Sequence, residues 1–360
     1  MICVSECGFK TAITNAYIQS KTSSKKLQFG STKCKKIHVG KSCEEYKCQT
    51  LYVDSWEEVE KIKDDSGNIE IKDECIGEEA MEQKDEEKYL GDLISKDGRN
   101  LKNIKARVNK GKGIVQKILN ILDGIPFGKL YFQVAVLLRN SLFVNSLLCT
   151  SEAWFNLTNA ELELLESVDL MLLRSIMKAP KSTPKEMFFL ELGVLPLREM
   201  IRERRLNFVH YILSQEENSL IVKVFEKQLK NCTAKNWVKT IIGDMEKVGL
   251  NVTFEEIKTI RKAKWKSMVK KSITENSFTY LENIKQSHSK VKELEYEKLK
   301  TQTYFLPNKL NIYKEDIHLI FRMRCKVVNL KINMKGIYDA YECKVCQNED
   351  ESQKHIYECK

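Results

Sequence analysis

Four residues near the end of the chain, Cys343, Cys346, His355 and Cys359, are spaced as Cys-x2-Cys-x8-His-x3-Cys. Thiolate and imidazole are the donors that a tetrahedral zinc ion takes, brought together from two short segments. Cys-x2-Cys puts two sulfurs on one tight turn. His355 and Cys359 are four apart and share a face on one turn of helix. The stretch between the two halves, residues 347–354, is polar and long enough to fold them together. Four protein ligands leave no open position, so the expected site is structural rather than catalytic. The competing explanation is coincidence, because twelve cysteines make a chance Cys-x2-Cys pair possible. Zinc binding of ~10–16 kcal/mol would order a stretch too small for a core of its own.

Positive charge is the second chemical signal. The chain carries a net +10, unevenly placed: residues 1–53 hold +6, residues 54–88 hold −10, and the remainder +14. A basic protein attracts polyanions such as nucleic acid by phosphate neutralisation and counterion release. Arg198, Arg202 and Arg205 fall at i, i+4 and i+7 and form one stripe. That stripe either contacts RNA or pairs with the nearby Glu199 and Glu203. Residues 258–271 hold Lys258, Arg261, Lys262, Lys264, Lys266, Lys270 and Lys271 around Trp265. Basic residues around an aromatic can join phosphate contacts to base stacking. Trp265 also fits a helical apolar stripe, which would make it core. A membrane-surface role lacks a second anchoring signal.

Other chemistries find little support. Gly111-Lys112-Gly113 lacks the spacing of a phosphate-binding loop. His38, His210, His288 and His318 are scattered, with no nucleophile and acid at useful spacing. Cys3 and Cys7 read as incidental. Asp64-Asp65 precedes Ser-Gly and reads as a turn.

The elements that must position these residues follow from periodicity. Hydrophobic content of 42%, charged content of 31% and five prolines indicate a helix-rich chain with real cores. A short helix is expected over residues 9–20, with strands near 25–30, 36–40, 50–53 and 69–71, and a turn at 64–68. Residues 72–87 are acidic and read as a mobile surface loop. Residues 89–95 read as the last strand. Beyond residue 100 the period becomes helical. Ile104 to Leu122 mark one helix, 129–149 a buried one, and 157–177 an amphipathic one with Thr158 as N-cap. Thr183 reads as an N-cap with Pro184 at N1. Gly193 and Pro196 separate that short helix from one over 197–213. Three to five helices follow over 217–300, with the apolar stripe continuing through Val291, Leu294 and Leu299, and a last helix over 314–328. No run of eighteen apolar residues predicts a membrane span, and residues 1–10 do not read as a signal peptide. An intracellular, reducing location is expected, cytoplasmic or nuclear and not secreted. Metal ligation then outranks disulfides, and the Asn-x-Thr sequons at Asn156, Asn231 and Asn251 go unused.

Stretches from Lys26-Leu27-Gln28-Phe29-Gly30 through Tyr89-Leu90-Gly91-Asp92 and Leu190-Glu191-Leu192-Gly193 to the terminal Cys343, Cys346, His355 and Cys359 stand in an order that resembles reverse transcriptases of non-LTR retrotransposons. Lys26-Leu27-Gln28-Phe29-Gly30 with Thr32-Lys33-Cys34-Lys35 is similar to the segment just after their active-site hairpin. Tyr89, Leu90, Gly91 and Asp92, followed by Leu93-Ile94-Ser95 and Asp97-Gly98, look like their primer-grip turn. Leu138-Arg139-Asn140-Ser141, Ser151-Glu152-Ala153-Trp154, Leu190-Glu191-Leu192-Gly193 with Pro196, and Arg204-Arg205-Leu206 resemble their thumb and post-thumb helices. The terminal Cys343, Cys346, His355 and Cys359 match the Cys-Cys-His-Cys motif of the site-specific branch.

The resemblance implies a mostly α chain in four segments. These are a small α/β palm-edge piece over 1–98 with an acidic insert at 54–88, a helical thumb over 99–215, a helical connection over 216–335 and a zinc knuckle over 336–360. It implies that Tyr89 to Asp92 support a primer end. It places Arg107, Lys110 and Lys112 on the thumb helix that tracks a duplex, where phosphate contacts are independent of sequence. The family's polymerases hold two Mg2+ ions on palm carboxylates. The Asp-Asp hairpin that supplies them does not occur here. In family terms the chain starts downstream of it, so Mg2+ belongs to a full-length parent. The expected activity is therefore binding of RNA or DNA without polymerisation. The rival expectations are a zinc-stabilised helical scaffold for protein partners and a non-functional relic.

Overall fold

The computed structural model describes residues 2–5, 35–38, 75–76, 79–80, 82–83, 85–89, 92–95, 99–232, 236–305, 312–328, 330–333 and 340–359. The chain is mostly helical and divides into two compact units, Met1–Ala106 and Arg107–Lys360. The predicted helix over 9–20, the strands at 25–30, 50–53 and 69–71, and the turn at 64–68 lie outside the described residues.

The first unit holds the strands. β1 (Ile2–Ser5) pairs parallel with β2 (Lys35–His38), which pairs parallel with β5 (Glu82–Gln83). β3 (Cys75–Ile76) and β4 (Glu79–Ala80) form a small antiparallel pair. The acidic stretch is thus not wholly a loop: its described residues pair as short strands. The strand expected over 89–95 is instead a hairpin. β6 (Glu86–Tyr89) turns back into β7 (Asp92–Ser95), with Tyr89 opposite Asp92. The start of the first long helix docks here. Asn103 donates from Nδ2 to Asp92 at 2.7 Å and accepts from the Leu93 N–H at 3.2 Å, and Lys102 pairs with Glu86.

That helix, α1 (Leu101–Asp123), leads into the second unit. α2 (Gly128–Leu138) runs on through a π turn at Arg139–Val144 and a last helical turn at Asn145–Leu147. The π turn shifts the register of an otherwise apolar helix. It buries Arg139 and turns Leu142 outward, where a regular helix was expected to bury Leu142. α3 (Asn159–Met177) begins at Thr158, whose hydroxyl accepts from the Glu161 N–H while Glu161 reaches back to the Thr158 N–H. This reciprocal capping satisfies two otherwise orphaned donors. Pro184 occupies the N-cap position of α4 (Lys185–Leu192), which has no side-chain cap; Thr183, expected in that role, is buried one residue earlier.

Gly193 ends α4 at φ +65°, and a Cβ there would lie 2.2 Å from the Thr301 nitrogen. Both the left-handed backbone and the close approach demand glycine. Pro196 opens α5 (Leu197–Leu213), and α6 (Leu220–Lys230), α7 (Trp237–Lys247), α8 (Phe254–Thr259) and α9 (Lys262–Gln286) follow. α9 stops at Gln286, so the apolar stripe read through Val291 to Leu299 continues in turns rather than in helix. α10 (Lys314–Arg324) is four residues shorter than the predicted 314–328, and α11 (Gln353–Glu358) carries His355.

The segments read as separate, 99–215 and 216–335, share one apolar cluster. Leu206 and Val209 of α5 pack with Val238 and Ile241 of α7, Ile257 of α8 and Trp265, Val269 and Ile273 of α9. Burial of such side chains at about 1.5–3 kcal/mol each is the main force joining these helices. Trp265 is fully buried, and its indole N–H donates to the Leu206 carbonyl at 3.0 Å.

A second, polar centre forms around Glu191 of α4. This carboxylate is fully buried and accepts from the hydroxyls of Tyr296 and Tyr304, the latter at 2.7 Å, and from Arg324 Nε at 2.9 Å. The Arg324 guanidinium also lies over both tyrosine rings. Burial, and then the Glu191 charge, push both phenols well above their ordinary range. A buried carboxylate is tolerable only with such partners.

Candidate functional site

The terminal cysteines and histidine converge. One donor atom from each of Cys343, Cys346, His355 and Cys359 lies within 4.8 Å of all the others, so the set could hold a metal ion. The local sequence explains the convergence. Residues 342 and 350 form an antiparallel bridge, and the Cys343 N–H donates to the Glu349 carbonyl at 2.7 Å. Gln347 closes the turn after Cys346 at φ +59°. Ser352 caps α11 by accepting from the His355 N–H, and the Cys359 N–H returns to the His355 carbonyl. These bonds bring Cys346 Sγ to 3.1 Å from His355 Nε2, and Cys343 Sγ to 3.8 Å from Cys359 Sγ. His355 Nδ1 faces Glu349 at 3.1 Å. A carboxylate on the far nitrogen holds an imidazole in the orientation a ligand needs.

The donors are electrostatically unequal. Backbone N–H groups of Cys346 and Val345 draw the Cys343 thiol down to about 6. The Asn348 N–H lowers Cys346. Cys359 is pushed up to about 11 by desolvation and by the two neighbouring sulfurs. Desolvation opposes a proton on His355, but hydrogen bonds to Cys343 and Cys346 outweigh it and raise its pKa. Three clustered sulfurs would repel one another as thiolates, and a bound cation would relieve such a set.

The basic residues divide into two kinds. Arg107, Arg198, Arg202 and Arg205 are committed inside the chain. Arg107 is buried, donates to the carbonyl of Ser146 at 3.2 Å and the hydroxyl of Thr150 at 3.3 Å, and lies 5.4 Å from the Trp154 ring centre. Arg198 forks onto Glu166 at 2.5 and 2.9 Å. Arg202 and Arg205 share Asp244, at 3.1 and 2.7 Å, and Arg202 also pairs with Glu199. The stripe therefore ties α5 to α3 and α7 and is not an open phosphate-binding face. Asp244 was missed from sequence because it lies about forty residues from the arginines it binds. Of the predicted acids, Glu199 is used; Glu203 is half-buried, and desolvation raises its pKa.

Lys110 and Lys112 of α1 and Lys264 and Lys266 of α9 are exposed. Arg261, Lys262, Lys270 and Lys271 extend the exposed set on α9, while Trp265 between them points into the core. That removes the indole as a stacking platform. Of the primer-grip-like residues, Tyr89 and Asp92 face each other across the hairpin and Asp92 is held by Asn103; Leu90 and Gly91 lie outside the described residues. Comparison with protein-family models, with curated proteins and with solved structures finds no match to this chain. Among the described residues no helix is long and apolar enough to cross a membrane.

Proposed function

We propose that the chain binds nucleic acid, as the thumb, connection and zinc-knuckle part of a reverse transcriptase-like protein of a non-LTR retrotransposon. The observation that carries this reading is the convergence of Cys343, Cys346, His355 and Cys359 behind a helical body whose exposed lysines remain available. On this reading the small β-rich unit corresponds to the palm edge, with Tyr89 to Asp92 as a primer-grip-like turn, and catalytic carboxylates with their Mg2+ belong to a parent enzyme.

The ion is a structural Zn2+. Sulfurs about 2.3 Å from a tetrahedral ion lie about 3.8 Å apart, which is the Cys343–Cys359 separation. All four donors come from the protein, so the ion supplies folding energy and no open coordination site. Cys343, Cys346, His355 and Cys359 would hold it, with Glu349 orienting His355.

Lys110, Lys112, Lys264 and Lys266, with the other exposed cations of α9, supply phosphate contacts. Such contacts act by displacing counterions and carry no sequence information of their own. Arg107, Arg198, Arg202 and Arg205 support the frame that presents the lysines.

A mobility shift with RNA and DNA at about 50 mM salt, where phosphate contacts are strong, tests the reading. Expected is binding that falls steeply as salt rises, with Lys264→Gln/Lys266→Gln weakening it. No shift of either nucleic acid would refute it. A nuclease-insensitive pull-down of protein partners would favour the rival scaffold role. Zinc analysis of wild type against Cys346→Ser tests the metal, and equal zinc content in both removes the site.

A further inference from the structure

At the C-terminal end of α3 an open pocket of about 550 Å³ is lined by Ser167, Met171, Arg174, Ser175, Lys178, Ala179 and Lys181. The lining offers three cations, two hydroxyls and no carboxylate. Arg174 is the exceptional member. Every other buried or half-buried arginine among the described residues has an oxygen partner, from Arg139 on Asp169 to Arg322 on the His318 carbonyl. The Nε of Arg174 is buried with no hydrogen-bond partner, and its guanidinium rests 5.7 Å from the Phe188 ring centre. The terminal nitrogens of Arg174 are not among the buried unpartnered atoms, so they, rather than the closed-off Nε, are the donors a ligand oxygen entering the pocket would meet.

Lys178 adds an independent observation. It ends α3 in the left-handed region at φ +49°, the position where helices favour glycine. The chain keeps a long cation where its backbone prefers no side chain. Strain of this kind motivates a search for a ligand at the same place. A helix C-terminus ordinarily repels anions through its free carbonyls, but here the last turn is occupied. The carbonyl of Arg174 accepts from the Ala179 N–H at 3.0 Å and that of Ser175 from Lys178 at 3.3 Å. That of Ile176 accepts from the Tyr131 hydroxyl at 3.1 Å and faces His318 Nε2 at 2.8 Å.

We propose that this pocket binds a phosphate group, carried by a free nucleotide or by a nucleic-acid strand. Arg174 supplies the planar donor fork, Lys178 and Lys181 the flanking charges, and Ser167 and Ser175 neutral hydrogen bonds. Met171, partly exposed, offers apolar surface beside them for the adjoining sugar or base. The site is separate from the lysine faces of α1 and α9 and does not depend on them.

The test compares the full chain with a Lys178→Gly/Lys181→Gln variant and with a control, Lys227→Gln/Lys230→Gln on α6, which removes equal charge elsewhere. Inorganic pyrophosphate is titrated by calorimetry and a short labelled oligothymidylate by anisotropy, at about 50 mM salt. Lys178→Gly alone should melt no lower than wild type, because glycine is favoured at this φ, so a binding loss is not a folding loss. The pocket variant should bind at least about tenfold more weakly than the control, and its salt slope for the strand should fall by about 0.7 per lost contact. Loss of pyrophosphate binding assigns a free phosphorylated ligand, and loss of oligothymidylate binding alone assigns a strand. Equal losses in pocket variant and control, or no wild-type binding of either probe, overturn the proposal. Both probes held equally by wild type and the pocket variant exclude the pocket while leaving phosphate binding elsewhere intact.

Discussion

The helical body of the second unit and the terminal Cys-Cys-His-Cys segment use polar groups in opposite ways. In the body, several buried charges are answered inside the chain: Arg139 forks onto Asp169 at 2.8 and 2.5 Å with both side chains buried, and Arg202 and Arg205 clamp Asp244. Apolar side chains from α5, α7, α8 and α9 fill the space around them. Among the described side chains of the terminal segment only Cys343 and His355 are buried, and Val345 is 79% exposed. Its donor atoms have mainly one another. The body should therefore hold without metal, and the terminal segment should not.

Chelation is the strongest way to break that contrast. Removing zinc should forfeit binding energy on the order of 10–16 kcal/mol in the terminal segment. Amide exchange of residues 341–359 should rise to unprotected rates, while the unfolding midpoint of the body stays put. A matching fall in that midpoint would show that the two regions are one cooperative unit.

Next in size is Arg139→Ala, which strands the Asp169 charge in the core. It should cost about 3–5 kcal/mol, measured by denaturant unfolding. Arg139→Met with Asp169→Leu should recover most of it, since an apolar pair can replace a buried ion pair.

Acid sharpens the contrast within the body. Burial draws His318 down to about 4 from its ordinary 6.5. The unfolded chain therefore binds a proton between pH 6.5 and 4 that the folded chain refuses. Stability falls as pH drops through that window and levels off below it, by up to about 3 kcal/mol. His318→Gln should flatten the midpoint-versus-pH curve over this range; an unchanged slope would assign the acid sensitivity to other groups. The smallest effect is Thr158→Ala, which removes the cap of α3 at about 1 kcal/mol and should lower the melting temperature of the body alone.

Features governed by local spacing were legible in the sequence. The Thr158 cap, the Gly193–Pro196 break, the burial of Trp265 and the grouping of the four metal donors all follow from residues a few positions apart. What escaped depends on distant partners. The arginine stripe of α5 was visible, but Asp244 was not, so an internal clamp looked like a possible nucleic-acid face. The π turn at Arg139–Val144 shifts register inside a segment that reads as one regular buried helix over 129–149, and the polar Arg139-Asn140-Ser141 within it does not by itself specify a π turn. Residues 89–95 read as one strand, whereas 86–89 pair with 92–95 as a hairpin. The acidic segment reads as loop by composition, yet its described residues pair, locally at 75–76 with 79–80 and distantly at 82–83 with 35–36.

Glu191 has a consequence for how the protein is made. Its three side-chain partners lie 105, 113 and 133 residues further along the chain. On the ribosome, α4 emerges well before any of them exists. Until Arg324 has left the exit tunnel, this carboxylate must stay in water, and the helices around it cannot close. A chain lacking Arg324 would leave the Glu191 carboxylate without its cationic partner, so the helices around it would stay open to water.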